Sequence, residues 1–305
     1  MKRILVASSF LVLMVAPAVA VETGLSIYPK GFTDFMSGIL PPEPGVYFST
    51  VYYHFNGSTD ASVRNGVAEF GVNVGMDAGF LHGTYVSDTN YLGGRYAMGG
   101  AIAVAGGSLD ASLVGPKAAA TLHAGNSGFA DSIFTPVILG WDDDKWHWNT
   151  SFSIYVPTGG YEPGQLNIGR NVIGFMPGAA LTWFDPASGW DVSGALTFVS
   201  MTRNDATDYQ SGDLLHFDWA VGNHVTPNWE IGLAANLVQQ FSGDTGTGAK
   251  LGAFKAQSFG LGPAVTYTGK VNSTPVSFNV KWEHDVTHTN TFGGDLVTVN
   301  ATVVF

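Results

Sequence analysis

Residues Thr291–Phe305 read TFGGDLVTVNATVVF. Counting back from Phe305, Val303, Ala301, Val299 and Val297 are apolar at every second position, while Val304, Thr302, Asn300 and Thr298 between them are mixed. A period of two marks a β-strand whose faces meet different surroundings. The stretch before it is cleaner: Val276, Phe278, Val280 and Trp282 alternate with Ser277, Asn279, Lys281 and Glu283. In a soluble sandwich the apolar face would be a core. In a membrane barrel it would meet lipid, and the polar face would meet a lumen.

Composition separates these readings. Charged residues make up 12% of the chain, about half of the roughly 25% usual in a globular domain. Such a chain has too little charge to cover a soluble surface of this size. No run approaches the ~18 apolar residues of a membrane-spanning helix. The net charge of −11 disfavours nucleic acid as a partner. There is no cysteine, so disulfide and thiol chemistry are excluded. The opening MKR, the apolar run Ile4–Val15 and the small-residue motif Ala18-Val19-Ala20 form a secretory signal peptide over residues 1–20.

Residues 21–45 carry Pro29, Pro41, Pro42 and Pro44 with several glycines and aromatics, so they pack as an irregular segment rather than as a strand. From 46 to 305 the pattern predicts twelve strands, at 46–56, 67–86, 91–105, 128–141, 146–157, 170–184, 190–202, 213–225, 229–240, 254–268, 273–284 and 291–305. The connections between them alternate long and short, with long stretches expected at 57–66 and 106–127. A barrel with extracellular loops and periplasmic turns has this alternation, and an even strand count puts both termini in the periplasm. The expected fold is therefore an all-β, twelve-stranded antiparallel transmembrane barrel with residues 21–45 folded into its lumen. Trp146, Trp190, Trp229 and Tyr267 fall near strand ends, where an aromatic girdle would lie.

Alternation also assigns faces. Leu215, Phe217, Trp219 and Val221 oppose His216 and Asp218, and Phe70, Val72, Val74 and Met76 oppose Glu69, Asn73 and Asp77. With the apolar set on lipid, the ionisable lumen residues are Glu69, Asp77, Arg95, His147, Asp191, His216, Asp218, Glu230, Lys281 and Glu283. Buried charges need partners or water. Phe48 and Tyr52 are expected to supply an aromatic part of the lumen, although strand 46–56 is aromatic on both faces. No catalytic constellation is visible. His147 and Ser153 lie six positions apart on one strand, roughly 20 Å, too far to hydrogen-bond. The histidines lack zinc spacing, and Asp142-Asp143-Asp144 reads as a charged turn. No cofactor or metal is expected.

Pro136, Pro177 and Pro263 fall inside strands, where each removes one ladder donor. A closed barrel has no edge on which to place such a residue. Pro136 and Pro263 lie near mid-strand, and a lateral opening in the wall is expected there.

The stretch GFTDFMSGILPPEPGVY (31–47) resembles the opening of outer-membrane channels of the "MetA-pathway of phenol degradation" family. YLGGRY (91–96), FTPVILGW (134–141) and YVPTG (155–159) look like further blocks of it. The resemblance implies a twelve-stranded outer-membrane barrel whose N-terminal segment occludes the lumen. It implies uptake of hydrophobic, often aromatic, small molecules with lateral exit through the wall. Carried onto this sequence, the plug is Gly31, Phe32, Phe35, Leu40, Pro41, Pro42 and Pro44, and the wall positions are Arg95, Pro136 and Trp141.

The function expected is passive uptake of small hydrophobic solutes across the outer membrane of a Gram-negative bacterium, by a monomer that is not an enzyme. Its partners are the bilayer and its lipopolysaccharide, the solute, and the barrel assembly machinery, for which Phe305 is the signal. A narrow porin for small polar solutes and a purely structural membrane protein remain as alternatives.

Overall fold

In the computed structural model the described residues are 22–63, 68–115, 118–249 and 252–304. The expected signal peptide over 1–20, Val21 and Phe305 lie outside them, as does the side chain of Glu69. A single 3₁₀ turn, Glu22–Gly24, precedes thirteen strands. These are β1 (Gly45–Val63), β2 (Ala68–Tyr91), β3 (Gly94–Gly115), β4 (Ala118–Phe129), β5 (Ser132–Asp143), β6 (Trp146–Val156) and β7 (Gly174–Asp185). They continue with β8 (Trp190–Met201), β9 (Leu214–His224), β10 (Trp229–Gln240), β11 (Gln257–Val271), β12 (Thr274–Thr289) and β13 (Gly293–Val304).

Every pairing is antiparallel, and the ring closes between β1 and β13, with Tyr47 opposite Val304. β3 pairs along its upper half with β4 and along its lower half with β5. The two therefore act as one wall strand broken at Ala130–Asp131, and the thirteen elements form a twelve-stranded barrel. No described helix is long and apolar enough to cross a membrane.

The face assignment of the last strands holds. Thr298, Asn300 and Thr302 line a lumen cavity, while Val299, Phe278, Val280 and Trp282 are exposed on the outer wall. Trp146, Trp190 and Trp229 are exposed at one end of the barrel, and Tyr267 packs on Trp229 with ring centroids 4.9 Å apart. Apolar side chains exposed on the outside and polar ones enclosed within are the arrangement of a membrane wall.

Two expectations fail, and for one reason. The stretches 57–66 and 106–127 are not loops over their described residues: β1, β2, β3 and β4 run on as long hairpins. In that extension Phe70, Val72 and Val74 point inward and join Tyr53, Phe55, Ala111 and Leu296 in a buried cluster. Asp77 points outward, with its side chain 59% exposed. In this extension the wall follows the pattern of a water-facing β-structure, with apolar residues turned in and polar ones out. Along β2 the apolar set changes face, from Leu81 and Tyr85 outside to Val72 and Val74 inside.

The described ends of the chain lie at opposite mouths. Val304 sits at the short-turn end, beside Tyr47. Glu22 sits among the long connections, where its carboxylate accepts hydrogen bonds from Asn204 Nδ2 (2.8 Å) and Thr207 Oγ1 (2.7 Å). This corrects the expectation that both ends share the periplasmic side. The strand count fixes only where β1 begins, and the segment before it traverses the lumen.

The break at Ala130–Asp131 is held by the connection 157–173. The buried Asp131 carboxylate accepts the N–H groups of Gly159 and Arg170, both at 2.6 Å. Hydrogen bonds to a charged group are worth about 1.5–3 kcal/mol each. Asp131→Ala is expected to lower barrel stability by about 2–4 kcal/mol and to expose 157–173 to protease, read by urea unfolding and limited proteolysis.

Candidate functional site

Residues 25–44 contain four prolines and make few backbone hydrogen bonds with one another, so the wall must satisfy their peptide groups. Inward-facing side chains of the wall do so. Met36 N–H donates to Ser193 Oγ on β8 (2.9 Å), Gly38 N–H to Thr182 Oγ1 on β7 (2.9 Å), and Asn149 Nδ2 on β6 donates to Ser37 O (2.9 Å). Arg95 on β3 donates to Leu40 O (2.9 Å) and to Asp142 (2.6 Å). Gly38 is required by contact, since a Cβ there would strike the backbone of Thr182 and His147. Gly31, at φ +60°, would place a Cβ against Glu283 and Leu296.

The strongest anchor is a buried ionic cluster. Lys281 on β12, 1% exposed, donates to Gly31 O (2.7 Å) and Thr33 O (3.0 Å) and lies 3.5 Å from the Asp34 carboxylate. Asp218 on β9 accepts from Gly31 N–H (3.2 Å), Thr33 N–H (3.1 Å) and Thr33 Oγ1 (3.0 Å). Lys30 pairs with Asp285, and its ammonium lies 4.3 Å above the Phe55 ring. Burial pulls Lys30 below its ordinary value, and Asp285 opposes that pull. Burial also raises the Tyr28 phenol, which stays neutral at any physiological pH.

The clamp holds the segment against the inner wall and leaves part of the lumen free beside it. Three cavities line up there. One of about 410 Å³ lies at the long-connection mouth, walled by Leu25, Val74, Leu109, Leu122, Leu166 and Phe292 among others. A second, of about 120 Å³, is walled by Ile27, Tyr53, Phe80, Leu214 and Val238 and shares Leu25, Met76 and Ile168 with the first. The third, about 500 Å³, reaches toward the turn end. The second and third meet at Tyr28, Pro29, Phe80 and Ile133. Aromatic edges close this neck: Phe32 packs on Phe80 at 5.3 Å and Tyr28 on His216 at 5.1 Å.

Among the expected site residues, Gly31, Phe32, Phe35, Leu40 and Pro41 lie inside the barrel, while Pro42 and Pro44 are exposed at the turn mouth. Arg95, His147, His216, Asp218, Glu230, Lys281 and Glu283 face inward; His147 is tied to Asp142 (2.6 Å), and Ser153 to Thr135 (2.8 Å). Phe48 and Tyr52 do not line the lumen: they are 42% and 46% exposed on the outer wall. Their inward neighbours Tyr47, Val51 and Tyr53 take that place. Asp77 joins Tyr52 and His54 on the outside. The neck residues Phe80 and Ile133 went unmarked because a lone aromatic or isoleucine in a strand carries no sequence signal. Tyr28 stood out only as an aromatic in a proline-rich segment.

All three in-strand prolines interrupt a ladder. At Pro136 the register shifts on both sides, against β3 and against β6. At Pro177 the β7–β8 partners lapse between Phe175 and Gly178. At Pro263 the ladder to β12 lapses between Leu261 and Ala264, yet the adjacent Gly262 lies in close contact with the Trp282 backbone, so the wall is closed there. Pro136 and Pro177 form the local pair. Val137 lies opposite Phe152 on β6, and Phe152 opposite Pro177 on β7. The 500 Å³ cavity lies behind this patch. Its lining includes Met176, Ala180 and Ala195 and the outward-facing Ala179 and Leu196.

Comparison with known proteins agrees with this architecture. A family model described as "Putative MetA-pathway of phenol degradation" matches residues 53–301. An outer membrane channel from Pseudomonas putida F1 superposes with a TM-score of 0.69 at 13% identity, covering 90% of this chain and 100% of that one. The beta domain of a Bordetella autotransporter gives a TM-score of 0.47 at 10% identity, over 86% of this chain and 100% of that one. No curated protein matches the sequence significantly.

Removing one partner of a buried charge cluster costs about 3–5 kcal/mol. Asp218→Ala leaves Lys281 and the Gly31–Thr33 amides short of a partner. The inner segment is expected to loosen, with single-channel conductance in planar bilayers rising several-fold over wild type; an unchanged conductance would show that the clamp does not hold the segment.

Proposed function

The chain belongs to the family described as "Putative MetA-pathway of phenol degradation", and from that membership and the form of the lumen we propose that it is an outer membrane channel for passive uptake of small hydrophobic molecules, aromatic ones included. The carrying observation is that a largely apolar mouth and inner cavity lead to an aromatic neck at Tyr28, Phe80 and Ile133, beyond which lies a larger cavity of mixed lining. Lys281, Asp218, Arg95 and Asp285 are engaged with the N-terminal segment rather than presented to the solute. Residues 22–44 act as the plug that narrows the lumen. In this reading the long connections face outward, the short turns face the periplasm, and lipid and lipopolysaccharide surround the wall.

A solute would enter at the mouth lined by Leu109, Leu122 and Phe292, pass the neck, and reach the larger cavity. Lateral release there uses the weakened patch between β5 and β8, around Pro136 and Pro177, rather than Pro263. Passage involves no chemistry on the solute, and His147 and Ser153 have separate structural partners.

A second reading, a narrow porin for small polar solutes, is favoured by one observation. The far side of the larger cavity carries Ser49, Thr84, Asn279, Thr298 and Asn300, which would suit a polar exit into the periplasm.

The test compares uptake of a radiolabelled aromatic hydrocarbon by cells expressing wild type, Ile133→Trp, or the double variant Pro136→Ala, Pro177→Ala. Filling the neck with Trp is expected to lower protein-dependent uptake about tenfold. Restoring two ladder donors to the wall is expected to lower it several-fold with little effect on conductance. Large stable currents in wild type without any protein-dependent hydrophobic uptake would reject the proposal in favour of the porin.

A further inference from the structure

At the turn end of the lumen, three adjacent strands converge on one point. Asp191 on β8 lies opposite Gly222 on β9, and His224, two residues along β9, lies opposite Glu230 on β10. One ligand atom from each of Asp191, His224 and Glu230 falls within 4.8 Å of the other two. His224 Nε2 lies 3.8 Å from Glu230 Oε2. Gly222 leaves the room for this, since a Cβ there would collide with Asp191 Oδ2 and Glu230 Oε1.

Both carboxylates are buried, His224 is half-buried, and each of the three keeps one atom unpartnered. Asp191 is 0% and Glu230 4% exposed. Asp191 Oδ2, Glu230 Oε1 and His224 Nε2 have no hydrogen-bond partner. Among the described residues, no lysine or arginine pairs with either carboxylate; Lys281 is committed to Asp34 and Glu283. Two neighbouring carboxylates without water or a cation are strongly disfavoured. A shared proton relieves one charge. A divalent ion relieves both and also engages the imidazole.

We propose that Asp191, His224 and Glu230 form a site for one divalent transition-metal ion of the zinc type. One nitrogen and two carboxylate oxygens suit such an ion, whose ligands lie at ~2.0–2.2 Å. Ligands at that radius sit roughly 3.3–3.6 Å apart around a tetrahedral ion, so the present spacing needs a contraction of about an ångström, which side-chain rotation supplies. Phe184 packs on the His224 ring at 5.2 Å and limits its orientations. The site also touches the inner segment. Phe35 packs over Gly222 and Gly232, and Ser193 Oγ connects Asp191 Oδ1 (3.3 Å) to Met36 N–H (2.9 Å). A bound ion would tie β8, β9 and β10 together behind the base of the segment. This goes beyond the transport reading and stands whether or not that reading does.

The experiment is calorimetric titration of zinc chloride, and of cobalt chloride with visible absorbance, into the full-length chain purified in detergent and stripped with chelator. Wild type is expected to bind one ion per chain. Glu230→Gln and Asp191→Asn keep the side-chain shape and are each expected to weaken binding at least tenfold, with barrel circular dichroism unchanged. His123→Ala, at an exposed histidine far along β4, is expected to bind as wild type does. Absence of stoichiometric binding in wild type would assign the cluster to a shared proton, and binding insensitive to both carboxylate substitutions would place the ion elsewhere; either result overturns the proposal.

Discussion

A charge on the inner wall of a narrow barrel must find a partner inside it, and here Lys281 and Asp218 find theirs in the backbone of Gly31–Thr33. The rest of the arrangement follows from that clamp. Without a helix or ladder of its own, the N-terminal segment takes its donors and acceptors from the wall, strand by strand, down to Arg95 and Leu40. It is anchored where β3, β6, β7, β8, β9 and β12 present polar groups. β2 and β3 face it with Phe80, Ala101, Ala103 and Ala105, and the small side chains leave the space that the cavities occupy. The neck is the meeting of these two halves.

The same physics decides what the sequence reveals. The barrel is legible because its membrane band obeys one rule, apolar out and polar in, as in Phe278–Glu283 of β12 and Val297–Thr302 of β13. Asp218, Lys281 and Glu283 could be placed in the lumen from alternation alone. The rule changes where the wall leaves the bilayer. On β2 the change of face around Ala78 is invisible in a pattern that stays period-two throughout, so Asp77 was assigned to the wrong side. On β1 aromatics occupy both faces, and Phe48 and Tyr52 could not be told from Tyr47 and Tyr53. The inner segment was legible as an irregular, apolar stretch, but its direction was not. Nothing in its composition says that Glu22 lies at the far mouth. The neck depends on contacts between residues distant in the chain, which a single sequence does not show.

The prolines join wall to cavity. Each removes a ladder donor, but the consequence depends on its neighbours. At Pro263 the Gly262 backbone closes against Trp282. At Pro136 and Pro177 two interruptions flank the same residue, Phe152, and the 500 Å³ cavity lies directly behind them. A weakened wall and a space inside it at the same place make a coherent exit for an apolar solute.

The most direct measurement is anomalous diffraction from crystals of the protein soaked in a brominated aromatic, with the bromine located in the map. The account predicts a peak inside the lumen, at the neck formed by Tyr28, Phe80 and Ile133 or in the cavity behind Pro136 and Pro177. Bromine found solely in the outer detergent belt, with none inside the barrel, would contradict it.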